Sequence, residues 1–401
     1  MSQTQHRDRR GRASAEPVLG IVLPGGAARG AYQVGVLAGL AELYPPDVPV
    51  PFQVISGTSA GAMSAAFLAS RMREFRATTE QLATLWGNLT VDKIYYSHYR
   101  KILAVVLRWM WSFMVGGLGE SSPRALFDNR PLAKLLQEQV DFRSIQPALD
   151  EGLLHGIAIT VTGYASERSF SYFQAHPGIE PWWRERREGR PGVIGLEHIM
   201  ASLALPVMFP AVEIDREWCG DGSIREYTPL SPAIHLGADR VLIIDTQYRG
   251  KSESLRSNGT MRSYPSVPQI SAFLLDTIFS DSLYADLERV ERFNRTLAHL
   301  PPATVDPDRP RLRPIDTLLM VPSLPPEKFA ERHIEALPRS IRWFLRSLGG
   351  DGEGGERLLS YMLFEGVYTH DLIELGRKDV RARSEELQQF LGISKVRVHK
   401  I

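Results

Sequence analysis

The chain has 401 residues and is 43% hydrophobic, enough for a sizeable core in one large domain with additions. Its 47 Lys and Arg nearly balance 46 Asp and Glu, so no global field recruits nucleic acid or an acidic membrane. A single cysteine, Cys219, excludes an internal disulfide and any Cys-rich metal site; with no Cys/His cluster or Asp-rich calcium loop, neither metal nor cofactor is expected.

Residues 1–16 are polar and basic (Arg7, Arg9, Arg10, Arg12) with no apolar run behind them. They do not read as a secretory signal peptide, and a disordered tail is the expectation. A weak contact with anionic lipid is the sharper alternative.

The first strand signal is Leu19-Gly20-Ile21-Val22-Leu23, a short buried-type run. The turn Pro24-Gly25-Gly26-Ala27-Ala28-Arg29-Gly30 follows, and then a helical pattern from Ala31. Strand, glycine-rich turn and helix aim backbone N–H groups outward at an anion. That anion is either a nucleotide phosphate or the oxyanion of a tetrahedral intermediate; a tight turn with no ligand is the plain alternative. No Gly-Lys-Ser/Thr is present to make a P-loop, and the dinucleotide fingerprint would need glycine where the chain has Ala27.

A second apolar run, Phe52-Gln53-Val54-Ile55, leads into Ser56-Gly57-Thr58-Ser59-Ala60-Gly61-Ala62 and a helix rich in alanine. The Gly-x-Ser-x-Gly spacing predicts a sharp strand-to-helix elbow with Ser59 at its tip. The flanking glycines answer crowding by the neighbouring strand and helix. The helix N-terminus favours negative charge developing beside Ser59.

Downstream, residues 212–219 read as a hairpin leading into Gly220-Asp221-Gly222-Ser223. Taken alone, Asp221 fits an ordinary Asp-Gly turn.

Together, these three elements and the stretch Ala201-Ser202-Leu203-Ala204-Leu205-Pro206-Val207-Met208-Phe209-Pro210 resemble the patatin-like phospholipase family. The resemblance covers about residues 17–247, with a weaker echo at Glu365-Gly366-Val367-Tyr368-Thr369-His370-Asp371. It implies a Ser–Asp dyad, with Ser59 as nucleophile and Asp221 as its proton acceptor. The oxyanion loop would be Gly25, Gly26, Ala27, Ala28, Arg29 and Gly30, with the amides of residues 26–29 as donors. Two positions depart from the family pattern. Ala27 replaces the usual third glycine, at a cost of about 1 kcal/mol if that position needs a positive φ. Ser223 replaces a glycine or alanine and is nearly isosteric with the latter. Arg29 either fixes the loop or attracts an anionic headgroup, and a solvated surface arginine is the alternative.

A Ser–His–Asp α/β-hydrolase also uses Gly-x-Ser-x-Gly, but lays down several strands before its elbow. Here one clear strand precedes the one leading to Ser59. His235, His299, His333, His370 and His399 follow Asp221, yet none sits in a glycine-flanked loop.

Further strands are expected at 156–162, 170–173, 241–245 and 317–321. Alternation with helices points to an α/β fold, a mainly parallel central sheet sandwiched by helices with a C-terminal helical extension. Residues 249–269 read as a Ser/Arg/Pro-rich loop, and 301–314 are Pro-rich. The expected organisation is a tail at 1–16, a catalytic domain at 17–326 with an apolar helical insertion near 87–130, and a helical extension at 327–401, interrupted by a glycine run at 349–355. Residues 102–118 are strongly apolar but would span only about 26 Å as a helix, short of the roughly 30 Å hydrocarbon core. A buried helix is the first reading; an interfacial lid with Trp109 and Trp111 at headgroup level is the second.

The sequence therefore predicts a serine lipid acyl hydrolase that cleaves carboxylic esters of phospholipids or related acyl lipids through an acyl-enzyme. No nucleic-acid partner is expected, and the sequence carries no signal for oligomeric state. The setting is cytoplasmic, with peripheral membrane contact through 102–118 as its variant. The alternative is a catalytically silent membrane-surface or regulatory binding protein.

Overall fold

The computed structural model describes residues 17–96, 125–250, 264, 266–299, 312–338, 342 and 355–393. The basic tail 1–16, the apolar segment 102–118 and the glycines of 349–354 lie outside the described residues, as do most of 249–269 and 301–314.

Among the described residues ten strands form one mixed sheet. They are β1 (Leu19–Leu23), β2 (Val54–Thr58), β3 (Gly156–Gly163), β4 (Ser169–Ala175), β5 (Trp182–Arg184), β6 (Arg187–Pro191), β7 (Val212–Ile214), β8 (Glu217–Asp221), β9 (Arg240–Ile244) and β10 (Asp316–Met320). The order is β10-β9-β1-β2-β3-β4-β6-β5, with β8 also pairing on β3 and β7 on β8. Strands β10 to β3 run parallel. β3 turns the sheet mixed by pairing antiparallel with β4 and β8.

Why these runs become central strands is visible in their two faces. Leu19–Leu23 and Val54–Thr58 are buried at every position, as expected of parallel strands covered on both sides. Ile21, Leu23, Ile55, Ile157 and Ile159 point into one apolar cluster. The alternate residues Val22, Val54, Ala158, Val241 and Ile243 point into a second.

The first face is covered by helix α1 (Ala31–Glu42) and helix α2 (Ala60–Ala69), both buried almost all round. Helix α3 (Phe75–Gly87) and the helix Gly366–Ala382 pack outside α1. A Cβ on Gly35 would collide with the Ile373 carbonyl, so the small residues of α1 set how near that C-terminal helix can lie. The second face carries Leu230, Ala233 and Leu236 around the helix Ser231–His235, and Leu283 and Val290 from the helix Ser282–Ala298.

Two elements were not foreseen from sequence. The β5–β6 hairpin reads Trp-Trp-Arg-Glu-Arg-Arg-Glu-Gly-Arg, with charged residues where a strand pattern would show apolar alternation. The helix Val267–Asp276 begins inside the stretch expected to be a loop, capped by Ser266, whose hydroxyl accepts the Gln269 amide.

Candidate functional site

The parallel strands β1, β2 and β9 deliver three chain segments to the same carboxyl edge of the sheet, where open α/β folds place their ligands.

After β2 the chain makes its elbow. Ser59 has φ 54° and ψ −125°, a conformation L-residues rarely adopt. A Cβ on Gly57 would sit 2.7 Å from the Ala65 Cβ, and one on Gly61 would collide with the Leu23 carbonyl. The two flanking glycines are therefore dictated by α2 crossing back over the ends of β2 and β1. The Ser59 N–H donates to Ser202 Oγ at 2.8 Å, and Ser202 passes its own O–H to the Thr160 carbonyl at 2.7 Å. Ser202 ends the helix Leu196–Ser202, which thereby pins the elbow.

After β1 the glycine turn runs into a single 3-10 turn, Ala27–Gly30. Ala27 has φ 47°, so an alanine stands in a left-handed position that favours glycine. Gly25 and Gly26 lie flat against Phe279, Ser223 and Thr246, where a Cβ would clash. Buried Gln33 donates to the carbonyls of both Pro24 and Ile244 at 2.9 Å, tying the turn to the end of β9. The Arg29 amide donates to the Gly26 carbonyl at 3.0 Å. It is thus used inside the turn, which leaves residues 26–28 as the candidate donors.

The Arg29 side chain is neither solvated nor aimed outward; it is 3% exposed. Its Nε donates to Ser360 Oγ at 2.8 Å and its Nη1 to Tyr361 Oη at 2.9 Å, with Asp276 at 3.4 Å and Glu327 at 3.8 Å. The guanidinium also lies 3.8 Å over the Tyr361 ring. Burial opposes its charge, but Tyr361, Tyr368, Asp276 and Glu327 outweigh that and strengthen its hold on the proton. Of the readings open from sequence, the geometry matches loop fixing.

A further segment arrives antiparallel. β8 pairs with β3 so that Asp221 lies opposite Val161. The Asp221 N–H donates to the Ala204 carbonyl at 2.9 Å, and Thr162 Oγ1 donates to the Asp221 carbonyl at 2.9 Å. The carboxyl is 1% exposed. Oδ1 accepts the Ser223 N–H at 2.9 Å. Burial lifts the carboxyl to about 6, against the opposing pull of hydrogen-bonding contributions from Ser59 and Ser223. Oδ2 makes no well-aligned hydrogen bond within 3.5 Å, so the Ser59 contact is long or poorly aligned. Catalytic hydrogen bonds are commonly long before substrate arrives.

The structure thus brings Ser59, Asp221 and the glycine turn to one edge. Among the described residues no histidine hydrogen-bonds to Ser59 or Asp221. His198 accepts from the Gly195 amide, His235 bonds Ser231, and His333 bonds Asp371. No group of metal-ligating side chains occurs among the described residues.

Sequence reasoning gave no role to Ser202, Gln33 or Glu226. The available signal was a polar residue inside an apolar run, as with Gln33 in Ala-Tyr-Gln-Val and Ser202 in Ala-Ser-Leu-Ala. Glu226 is buried, and its carboxyl is lifted to about 7 by that burial, with Thr58 and Thr160 hydrogen-bonding to it.

A model of the patatin-like phospholipase family matches residues 21–234. The chain belongs to that family, whose members are lipid acyl hydrolases in general. No curated protein matches it. Among solved structures it is similar to VipD from Legionella pneumophila, at 14% identity and TM-score 0.33, covering 84% of this chain and 67% of that one. It is also similar to human GIVD cytosolic phospholipase A2, at 14% identity and TM-score 0.44, covering 94% of this chain. The match extends over 60% of the human chain's length. The human enzyme is also matched in its complex with methyl gamma-linolenyl fluorophosphonate, at 15% identity and TM-score 0.40, covering 94% of this chain and 59% of that one.

Proposed function

We propose that this protein cleaves carboxylic esters of acyl lipids through a Ser59–Asp221 dyad. Ser59 Oγ attacks the ester carbonyl while its proton passes to Asp221 Oδ2. The amides of Gly26, Ala27 and Ala28 receive the oxyanion. Protonated Asp221 then returns the proton to the leaving alcohol, and water repeats the sequence on the Ser59 acyl ester.

One observation carries this reading: a buried carboxyl near enough to the Ser59 hydroxyl to be influenced by it, its Oδ1 fixed by the Ser223 amide and its Oδ2 without a formed bond. A carboxylate is a weak base for serine, and burial narrows the gap by raising its proton affinity. Each well-placed oxyanion donor contributes about 3–4 kcal/mol more.

A lipid fits the surroundings better than a small polar ester. The helix Val267–Asp276 exposes Val267, Ile270, Phe273 and Leu274, and its C-terminal Asp276 holds Arg29. Among the described residues no helix is long and apolar enough to cross a membrane. We further propose that 17–326 form the catalytic domain and 327–401 an extension that works with it, an arrangement supported by the contacts of Arg29 with Glu327, Ser360 and Tyr361.

The test is hydrolysis of defined phospholipids and neutral glycerides, combined with labelling by a fluorophosphonate. Ser59→Ala should abolish both turnover and labelling, and Asp221→Asn should lower turnover by at least about a hundredfold. Near-full turnover in Asp221→Asn would remove the proposed base; no labelling of folded wild-type protein would favour the silent binding protein.

A further inference from the structure

On the second face of the sheet, away from α1 and α2, lies a cavity of about 230 Å³ between β4, the β5–β6 hairpin and residues 225–232. Neither Ser59 nor Asp221 lines it. A space of this size holds several waters or one small polyatomic ion.

Its walls carry Arg184, Arg186, Arg187 and Arg225, and three arginines in or beside them have a carboxylate of their own. Arg190 pairs with Glu188 at 2.8 Å, Arg225 with Glu167 at 3.0 Å and Arg289 with Asp286 at 3.1 Å. Among the described residues Arg184, Arg186 and Arg187 of the cavity wall have no such pair, and of these three Arg187 is the half-buried one. Its hydrogen bond goes to the neutral hydroxyl of Thr228. Among the described residues it makes no ion pair within 4.0 Å. Asp286 is the one carboxylate that offsets its burial, and Asp286 already accepts from the Leu230 amide and Arg289. Arg184 and Arg289 add like charge. A partly desolvated guanidinium whose counter-charge is shared with another arginine is unfavourable unless something anionic reaches it.

The remaining lining supplies hydroxyl donors beside two carboxyls, exposed Glu185 and buried Glu226, whose proton affinity burial raises. Ser169, Ser171, Thr228 and Ser231 carry hydroxyls, and the Trp182 ring, stacked between Phe173 and His235, forms the apolar side. Two forked guanidiniums among hydroxyls are the recurrent chemistry of phosphate recognition.

We propose that this cavity binds a phosphate group, held by Arg187 with Ser169, Ser171 and Thr228, and flanked by Arg225. The group is that of inorganic phosphate or of a phosphorylated glycerol moiety. Glu226 forms part of the lining and lies beside Thr58, the residue before Ser59. An anion here therefore sits one side chain away from the strand that carries the proposed nucleophile.

The experiment is calorimetric titration of inorganic phosphate, and separately glycerol 3-phosphate, into the full-length Ser59→Ala protein. It requires no catalysis and so stands or falls apart from the proposed hydrolysis. Saturable one-site binding is expected, weakened about tenfold or more by Arg187→Gln, the loss of a charge-assisted contact. Arg225→Gln should weaken it by a smaller factor and guards against misfolding of the first variant. Arg143→Gln, on the exposed surface, should leave it unchanged. In the active protein, phosphate that competes with a phospholipid but not with a neutral ester identifies a headgroup pocket. Phosphate that binds without competing identifies a separate effector site. Absence of saturable binding, or equal affinity in both arginine variants and wild type, overturns the proposal.

Discussion

Ser202 and Ser59 share one hydrogen bond that fixes the backbone of the elbow: the Ser59 N–H meets Ser202 Oγ at 2.8 Å, across 143 residues of chain. Because Ser202 in turn holds the Thr160 carbonyl, β2, β3 and the helix Leu196–Ser202 meet at a single buried hydroxyl. Ser202→Ala leaves the Ser59 N–H and the Thr160 carbonyl without that partner. The expected loss is about 1–3 kcal/mol of stability. Turnover should fall because the strained φ of Ser59 loses a restraint. Chemical denaturation and esterase kinetics on the same preparation check both.

The raised carboxyl of Asp221 sets an acid limit on activity. The proposed base works only when ionised, so kcat/KM should rise with pH through a midpoint near 6 and then level. The hydroxyl of Ser223 helps hold the ionised form, so Ser223→Ala should move that limb to higher pH. A profile unchanged by Ser223→Ala, or one that fails to fall below pH 6, contradicts the assignment.

The same burial has a cost in stability. Between the unfolded value near 4 and the folded value near 6, the folded protein binds more protons at Asp221 than the unfolded chain does. Stability from this group is therefore lost as pH rises through that window, by something of order 3 kcal/mol. Asp221→Asn avoids the ionisation and should gain on wild type as pH rises from 4 to 7, while losing activity. Urea denaturation at several pH values measures the difference.

Ala27 occupies φ 47° in the glycine turn. Ala27→Gly should relieve left-handed strain, raising stability by about 0.5–1 kcal/mol net of the extra freedom glycine has when unfolded. Equal or lower stability by thermal denaturation would mean that the alanine methyl packs well enough to offset the strain.

Arg29 is fully enclosed and holds the turn by several directed bonds. Arg29→Lys keeps a charge but cannot reproduce them, and about 3 kcal/mol or more of stability should go. If Arg29 positions the turn rather than the substrate, kcat should fall more than KM rises. The reverse pattern would point to a headgroup contact.

The site's three motifs were legible in sequence for a local reason. Gly57 and Gly61 are forced by close backbone approach and Gly25 and Gly26 by side chains packed on the turn, and such constraints leave marks in short strings. The parallel core was legible too, because β1 and β9 are unbroken apolar runs. What escaped depends on distant partners. Ser202 and Gln33 look like stray polar residues until the strands that they bridge are assembled. Arg29 read as surface or headgroup contact because Asp276, Ser360 and Tyr361 lie more than two hundred residues downstream. The β5–β6 hairpin was missed because Arg184, Arg187 and Arg190 break the apolar alternation that marks a strand; β5 is the edge strand, where such charge is tolerated, and β6 lies next to it.

The statistical family ends at residue 234, yet the residues gripping Arg29 stand at 276, 327, 360 and 361. The recognisable segment is thus shorter than the machine it names. Any transplant or truncation cut at the motif boundary would carry its glycine turn without a keel, and a dead product would say nothing about Ser59.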